Sequence, residues 1–426
     1  MSDDYGYPLV PLHQVARRIT DGSHFSPTPR EHGPLIANVK DMKAGAIDFS
    51  TCTRISPSAY RELEATGCTI KNGNVLLSKD GTVGRVVVYR QDDEIGALSS
   101  ICIIEPTDRL DAAFLGQALQ SEGCTRQYDN FMSGSALRRL VLRDIRSIQV
   151  PLPDSEHQRA IAQVLDTLDT AIHETEAIIA KLKTVKQGLL HDLLTRGIDA
   201  NGELRPPQAE APHLYKQSPL GWIPKEWEAL PLEQITGAPI CYGIVQVLAF
   251  VPNGVPVLAI RDLHGDYTTG IHRTAPSIDA AYPRSRVRPG DVLLSIKGTL
   301  GRVGVVPNHF AGNISRDIAL IRPAPMVRSS FLSQMLQSML GQQLLSAAQV
   351  GTTRGEISIA PLRRIIVPLP DTHEQQRIEC SMTAIETRLK QEEQTLRKLR
   401  SQKSGLMDDL LTGRVRVTPL LEVGAP

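Results

Sequence analysis

The sequence predicts an α+β protein with two tandem, pseudo-symmetric domains, separated by two long helices that pair as an antiparallel coiled coil. Three observations lead to this prediction. From residue 70 onward the first copy repeats at an offset of 217 residues, each copy ends in an unbroken heptad pattern, and a proline-rich linker joins the copies. Two copies with so long a period are too few for a solenoid, so each copy is expected to be a whole domain.

The repeat is clearest in two matched segments. Ile70–Arg85 aligns with Val287–Arg302, and both contain Val-Leu-Leu-Ser followed by Gly-Thr-x-Gly-Arg. Val-Pro-Leu-Pro-Asp occurs in both copies, at Val150–Asp154 and Val367–Asp371. Because the order and spacing of the segments agree, the copies are expected to share one topology.

Each copy is expected to contain, in order, a turn-rich loop, a strand, a hairpin, a short amphipathic helix and a final apolar strand. The hairpin is predicted by Asp80-Gly81 between two apolar runs, and Gly298 takes the same place in the second copy. In the first copy the loop covers residues 20–29, the strand 34–39, the hairpin 75–89 and the helix 114–121.

The heptad segments predict the two long helices. Their seam positions step by four and three residues without interruption, and the two polar breaks fall at matched places, Thr175 with Glu392 and Lys186 with Lys403. Apolar seams of this period are typical of helices that pair with each other. The alternative is that each helix packs only on its own domain. The first seam is Ile161, Leu165, Leu168, Ile172, Thr175, Ile179, Leu182, Lys186, Leu189 and Leu193.

The linker favours an antiparallel pair. About 40 helical residues span roughly 60 Å, and a linker of about 22 residues could only just return over that length. An antiparallel pair needs no return and predicts a dumbbell with one domain at each end. The predicted boundaries are 1–153 for the first domain, 154–197 for the first helix, 198–218 for the linker, 219–370 for the second domain, 371–413 for the second helix and 414–426 for a tail.

Composition excludes several classes of protein. The 426 residues contain 41% hydrophobic and 22% charged residues, which is typical of a globular chain. Six cysteines occur without a Cys-x-x-Cys pair, which favours a reducing cytoplasm over a disulfide framework. We expect no signal peptide and no membrane span. The net charge of +1 argues against nucleic acid, but residues 220–366 hold 14 Lys/Arg against 9 Asp/Glu.

Catalytic motifs do not occur in the chain. There is no Gly-x-x-x-x-Gly-Lys-Ser/Thr, no Gly-x-Gly-x-x-Gly and no His-x-x-x-His. Gly81-Thr82-Val83-Gly84 lies between strands, whereas a phosphate loop lies between a strand and a helix. We therefore expect no catalytic residue and no metal site.

Several motifs together resemble the specificity subunits of type I restriction–modification systems. Val-Pro-Leu-Pro before a Glu/Gln-rich helix start, at Glu156–Arg159 and Glu374–Arg377, is similar to their conserved regions. The Leu-Leu-Ser…Gly-Thr-x-Gly-Arg segments are similar to their target-recognition domains, and Leu220–Trp227 resembles the segment that opens such a domain. The first copy departs from this opening, since it begins at Tyr7–Leu12 without Trp-Ile-Pro.

The resemblance implies a non-catalytic subunit that reads double-stranded DNA, in addition to the cytoplasmic location that the cysteines favour. Each recognition domain would read one half of a bipartite site, while the helices set the spacer and dock two modification (methyltransferase) subunits. S-adenosylmethionine would be bound by those partners and not by this chain, and a separate restriction subunit would cleave. Two alternatives remain open: a detached recognition subunit of a fused restriction-methyltransferase, and a coiled-coil scaffold that does not bind DNA.

The predicted DNA contacts are loop residues, because loops on a rigid scaffold commonly carry recognition. Arginine can grip guanine edges, and lysine more often contacts phosphate. The alternative for each cation is an ordinary solvated surface charge. The predicted residues are Lys79, Arg85, Arg138, Arg139, Lys297, Arg302, Arg354, and, where the two copies differ, His24, Lys40, Tyr242 and Gln246.

Overall fold

The architecture is described from a computed structural model, in which residues 6–43, 45–133, 139–265, 267–350 and 355–417 are described. The chain divides into two compact units. Unit 1 comprises Met1–Ile178 and Glu393–Pro426, and unit 2 comprises Ile179–Glu392. Within the described ranges, no helix combines the length and the apolar composition needed to cross a membrane.

The first part of the chain, up to the first long helix, is built from short strands and helices of unit 1. Its strands are β1 (Leu9–Pro11), β2 (Ala16–Asp21), β3 (Leu35–Ala37), β4 (Met42–Lys43), β5 (Ala46–Ile47), β6 (Thr53–Arg54), β7 (Val75–Ser78), β8 (Val86–Val88), β9 (Ile95–Ala97), β10 (Ile101–Pro106) and β11 (Gln149–Pro151). Its helices are α1 (Pro57–Ala65), α2 (Ala112–Leu119), α3 (Glu122–Met132) and α4 (Leu142–Ser147). The first long helix, α5 (Ser155–Thr195), follows.

The remaining elements up to the second long helix belong to unit 2. Its strands are β12 (Tyr215–Ser218), β13 (Gly221–Pro224), β14 (Glu228–Pro231), β15 (Cys241–Tyr242), β16 (Val255–Leu258), β17 (His272–Thr274), β18 (Val292–Ser295), β19 (Val303–Val305), β20 (Asn313–Ile314), β21 (Ile318–Ile321), β22 (Gln349–Val350), β23 (Glu356–Ile357) and β24 (Ile366–Leu369). Its helices are α6 (Pro276–Ala280), α7 (Ser329–Gln337), α8 (Met339–Ala347) and α9 (Ile359–Arg364). The second long helix is α10 (Thr372–Thr412).

The two units repeat the same sheet topology. A four-stranded sheet has the order β2-β10-β7-β8 in unit 1 and β15-β21-β18-β19 in unit 2. A three-stranded sheet has the order β6-β3-β9 in unit 1 and β17-β16-β20 in unit 2. Its central strand pairs in parallel with β9 in unit 1 and with β20 in unit 2. The predicted hairpin is confirmed, since β7 pairs antiparallel with β8 and β18 with β19.

The first strand of the hairpin, β7 in unit 1 and β18 in unit 2, is buried on both faces. This explains why its residues are all apolar up to the serine and do not alternate with polar ones. Successive side chains of a strand point to opposite faces. Val75 and Leu77 therefore pack into one cluster with Phe114 of α2. Leu76 packs on the opposite face with Ala97 of β9. In unit 2, Val292 and Leu294 join Phe331, while Leu293 faces a second cluster.

Both long heptad segments are single helices of 41 residues. Asp154 caps the first, because its carboxylate accepts the backbone N–H groups of Glu156 and His157 at 3.1 and 3.0 Å. These hydrogen bonds, with the side chain of His157, lower the pKa of Asp154. Asp371 caps the second helix in the same way, accepting from His373 and Glu374 at 2.8 Å.

Each long helix contributes its end to the core of the other copy's domain. Leu190, Leu193 and Leu194 at the end of α5 belong to the core of unit 2. Met407, Leu410 and Leu411 at the end of α10 belong to the core of unit 1. The alternative in which each helix packs only on its own domain is therefore wrong.

The first copy lacks the Trp-Ile-Pro opening, and a tyrosine takes the place of Trp227. β1 pairs with β11 and β14 pairs with β24, so Leu9 opposite Pro151 corresponds to Ala229 opposite Pro368. This register makes Tyr7 the counterpart of Trp227, and both rings are buried. Each ring lies against the glycine that ends a long helix, Gly413 for Tyr7 and Gly197 for Trp227.

Candidate nucleic-acid interface

The hairpin turn between β7 and β8 is held by the hydroxyl group of Ser78. This hydroxyl donates to the carbonyl oxygen of Thr82 at 2.6 Å and accepts the backbone N–H of Arg85 at 2.7 Å. Gly81 and Gly298 adopt φ values of 70° and 66°, where glycine is favoured. The recurrent Ser…Gly-Thr-x-Gly-Arg motif is thus a structural turn. The same two hydrogen bonds, at 2.6 and 2.8 Å, join Ser295, Thr299 and Arg302.

Four segments of unit 1 meet where β2, β3, β7 and β9 end. The backbone N–H of Ser23 donates to Ala97 O at 2.7 Å, and the N–H of Lys79 donates to Ser100 O at 3.0 Å. The hydroxyl of Ser100 donates to Asn38 Oδ1 at 2.9 Å. We call residues 22–25, 38–42, 78–85 and 97–100 the loop edge of unit 1.

Unit 2 has an equivalent loop edge, formed by residues 243–246, 259–263, 295–302 and 314–317. The backbone N–H of Ile244 donates to Ile314 O at 2.8 Å, and that of Arg316 donates to Ile244 O at 2.9 Å. The N–H of Ile296 donates to Asp317 O at 2.9 Å. The same backbone hydrogen bonds therefore assemble both edges.

Lys79 does not belong to the exposed part of its edge, and its prediction as a DNA contact is corrected. The residue is 1% exposed. Its Nζ lies 3.4 Å from Asp21 Oδ2 and 3.6 Å from Asp80 Oδ2. The 217-residue repeat places the buried Ile296 at this position in unit 2. Lys79 is a core residue whose ammonium group neutralises two carboxylates.

Replacing Lys79 with alanine is expected to lower the stability of unit 1 by about 2 kcal/mol. The change removes the buried counter-charge of Asp21 and Asp80 and leaves a cavity. Because both carboxylates are partly exposed, the effect should lie below that of breaking a fully buried pair. Native-state hydrogen exchange of the β7 amides measures it. As control, Arg139→Ala should cost less than about 1 kcal/mol; equal losses would contradict the assignment.

An ion pair with inverted charges joins each hairpin tip to a neighbouring segment. In unit 1, Arg139 Nε lies 2.9 Å from Asp80 Oδ1. In unit 2, Lys297 Nζ lies 2.9 Å from Glu356 Oε1. Both pairs sit on isolated antiparallel bridges at the 217-residue offset, so acid and base have exchanged places. Arg139 and Lys297 keep side-chain exposures of 49% and 36%, which leaves both within reach of a ligand.

The structure brings three further predicted residues of unit 1 to the loop edge. His24 is exposed, with Nε2 3.6 Å from Asp21 Oδ2. Lys40 is exposed on the 3-10 turn Val39–Asp41. Arg85 is exposed and donates from Nη1 to Met42 O at 3.0 Å.

The predicted residues Gln246, Lys297 and Arg302 lie on the loop edge of unit 2, and Tyr242 directly precedes it. Tyr242 is 51% exposed and Gln246 is exposed, whereas Arg302 is half-buried. Tyr242 and Lys297 line the same cleft of about 410 Å³, together with Arg316. The predicted contacts Arg138 and Arg354 lie outside the described residues.

Three exposed side chains at these edges were not among the predicted contacts: Phe25, Arg261 and Arg316. Arg261 is the counterpart of Lys40. The carboxylate of Asp262 accepts the N–H of Ala259 at 2.7 Å, as Asp41 accepts that of Asn38 at 2.8 Å. The signal for Arg261 was present in the sequence, since Lys40-Asp41 and Arg261-Asp262 both follow a strand.

The side chains of both loop edges are suited to contact the phosphates and the base edges of a nucleic acid. Lysine and arginine side chains can contact phosphate, while arginine, glutamine and aromatic side chains can contact base edges. Among the described residues, no group of three or more His, Cys, Asp and Glu side chains is placed to hold a metal ion. Each unit therefore carries, where its strands end, one set of side chains that can contact phosphates and bases.

Comparison with known proteins identifies the class. The family model "Type I restriction modification DNA specificity domain" matches residues 48–184 and 251–400, once in each copy. The chain belongs to this family. The resemblance of its motifs to type I specificity subunits is thereby confirmed.

Curated relatives agree with this assignment. The chain is 27% identical over 288 residues to the EcoBI specificity subunit of Escherichia coli, covering 65% of this chain and 60% of that protein. It is 25% identical over 303 residues to the MjaVIII specificity subunit of Methanocaldococcus jannaschii, covering 67% of each. The matches thus span about two thirds or less of these relatives.

Solved structures share the fold over almost the whole chain. A chain from a study of assembly and conformational transition of a type I R-M system matches with a TM-score of 0.57 at 20% identity, covering 96% of this chain and 98% of that one. The type I S subunit from M. genitalium matches with a TM-score of 0.57 at 15% identity, covering 96% and 97%.

Proposed function

We propose that this chain is the DNA sequence-specificity subunit of a type I restriction–modification complex. One observation carries the proposal: two units of the same topology each present an equivalent loop edge, and the family model matches once in each copy. Two related recognition domains in one chain are suited to a bipartite DNA site with two different half-sites. The domain boundaries predicted from the sequence, with recognition domains at 1–153 and 219–370, are part of this proposal.

The DNA contacts of the proposal are polar side chains that are at least partly exposed and lie on the two loop edges or directly beside them. In unit 1 they are His24, Lys40, Arg85 and Arg139; in unit 2 they are Tyr242, Gln246, Arg261, Lys297, Arg302 and Arg316. Arg138 and Arg354 stay in the proposal on sequence grounds alone. Lys79 is excluded by its burial.

We further propose that the long helices pair as an antiparallel coiled coil and set the spacer. Within unit 1, Lys403 Nζ lies 2.6 Å from Asp169 Oδ1, and Arg400 Nη2 lies 2.5 Å from Glu176 Oε1. Residue numbers thus fall along one helix as they rise along the other, which supports opposite directions. Within unit 2, Lys186 Nζ lies 2.8 Å from Glu386 Oε1.

The proposed partners are double-stranded DNA, two modification subunits and a restriction subunit. In this proposal the modification subunits bind S-adenosylmethionine and transfer the methyl group, and this chain supplies no catalytic residue. The EcoBI relative is a specificity subunit of a type I restriction enzyme, which supports a specificity role for the present chain.

The decisive experiment is mapping of methylated adenines across a genome, with the modification subunits expressed with and without this chain. The expected result is methylation at a bipartite motif only when the chain is present. Methylation at the same motif without the chain would refute the proposal. Methyl transfer by the isolated chain would favour the fused enzyme, and an absence of salt-dependent DNA binding would favour the scaffold.

A further inference from the structure

The loops after β2 and β15 have the same register, residue by residue. Gly22 and Gly243 follow these strands, and a Cβ atom there would lie 2.4 Å from Ala97 O and 1.9 Å from Ile314 O. Only glycine fits so close to a backbone carbonyl. The next residues, Ser23 and Ile244, form equivalent parallel bridges, with Leu98 and Ser315.

This register makes Phe25 the counterpart of Gln246. Each is the third residue after its glycine, and both side chains are exposed. Phe25 is 71% exposed, although the backbone that carries it is held firmly. The Ser23 hydroxyl donates to Phe25 O at 2.8 Å and accepts the N–H of Phe25 at 3.1 Å.

The position lies among the groups proposed to hold DNA. Next to Phe25, His24 lies 3.6 Å from Asp21, and Asp21 also neutralises Lys79 at the base of the hairpin tip. Next to Gln246, Val245 lines the cleft that contains Lys297 and Arg316. The same place in both edges thus follows a backbone segment anchored at Ser23 and Ile244, and it carries a side chain that differs between the copies.

The two side chains match different bases. A phenylalanine ring packs against the 5-methyl group of thymine, and a glutamine amide pairs with N6 and N7 of adenine. We propose that residues 25 and 246 are equivalent specificity positions, at which Phe25 reads a thymine methyl group in one half-site and Gln246 reads an adenine in the other. This inference rests on the proposed DNA-reading function and names the bases that two of its residues read.

The test of Phe25 uses the full chain with its modification subunits and duplexes of the mapped motif. Each thymine is replaced in turn by deoxyuridine, which lacks only the 5-methyl group. At one thymine the wild-type complex should bind about fourfold more weakly, as expected from burial of one methyl group. The Phe25→Ala complex should bind both duplexes equally. Equal binding of every thymine and deoxyuridine duplex by the wild type would overturn the assignment.

The test of Gln246 replaces each adenine in turn by 7-deazaadenine, which lacks the N7 acceptor. Wild-type binding should weaken about tenfold or more at one adenine in the half-site that Phe25 does not affect. The Gln246→Ala complex should be indifferent to that replacement. If the wild type binds its motif specifically but neither variant changes a base preference, this inference fails and the proposed function stands. If the wild type has no motif at all, the proposed function itself fails.

Discussion

Replacing Glu374 with alanine is expected to lower the free energy of unfolding of unit 2 by about 3 kcal/mol. Glu374 and Arg205 form a buried bidentate pair, with Oε1 2.5 Å from Nη1 and Oε2 3.0 Å from Nη2. Oε1 also accepts the backbone N–H of Ile198 at 2.8 Å. The change would leave a buried guanidinium group and a buried amide without this acceptor.

The pKa of Arg205 shows that its attraction to Glu374 outweighs the cost of its burial. Burial opposes the charged form of Arg205, but the hydrogen bonds and charge of Glu374 outweigh it, so the pKa of Arg205 is raised. Without Glu374 the buried Arg205 would keep only weaker partners, the carbonyl oxygen of Arg196 at 3.2 Å from Nη1 and the more distant Glu226 at 3.7 Å. That loss is the physical reason for the size of the effect.

Tryptophan fluorescence can measure the unfolding of unit 2 in the natural sequence. Its two tryptophans, Trp222 and Trp227, both lie in unit 2, so tryptophan fluorescence during urea unfolding follows that unit. The control is Glu379→Ala on the same helix, which breaks the partly exposed pair with Arg328 and should cost less than about 1 kcal/mol. Similar losses for the two variants would show that the buried pair contributes little to the fold.

Removing the paired cations Lys40 and Arg261 together is expected to weaken DNA binding by roughly a hundredfold, about tenfold for each charged contact. The slope of log K against log salt should fall by about 1 for each residue, because each phosphate contact releases counterions. Binding to all sequences should weaken alike, since phosphate contacts carry no sequence information directly.

The measurement is the affinity of the complex for specific and random duplexes over a range of salt concentrations. The matched control is Arg17→Ala with Lys216→Ala, which removes one exposed cation from each unit away from the loop edges. If the control lowers affinity and slope as much as the test variant does, the loop edges are not the phosphate-binding surfaces.

The sequence by itself determined the repeat, the hairpins and the two long helices. These features depend on local chemistry: glycine at positive φ in the turn, apolar runs in the central strands, and unbroken heptads. The capping aspartates after Val-Pro-Leu-Pro are equally local, because an acidic side chain at that place accepts the first free N–H groups of a helix. Such signals act over a few residues and are readable without the fold.

Only the tertiary structure decided which cations face solvent. Lys79 precedes the hairpin glycine Gly81 by two residues, and Lys297 precedes Gly298 by one. A shift of one residue turns a side chain to the opposite face of the chain, so Lys79 is buried where Lys297 is partly exposed. The same holds for the equivalence of Phe25 with Gln246, which depends on backbone hydrogen bonds between segments distant in sequence. Spacing along the chain gives the alternation of faces but not which face is covered, because packing between remote segments determines that.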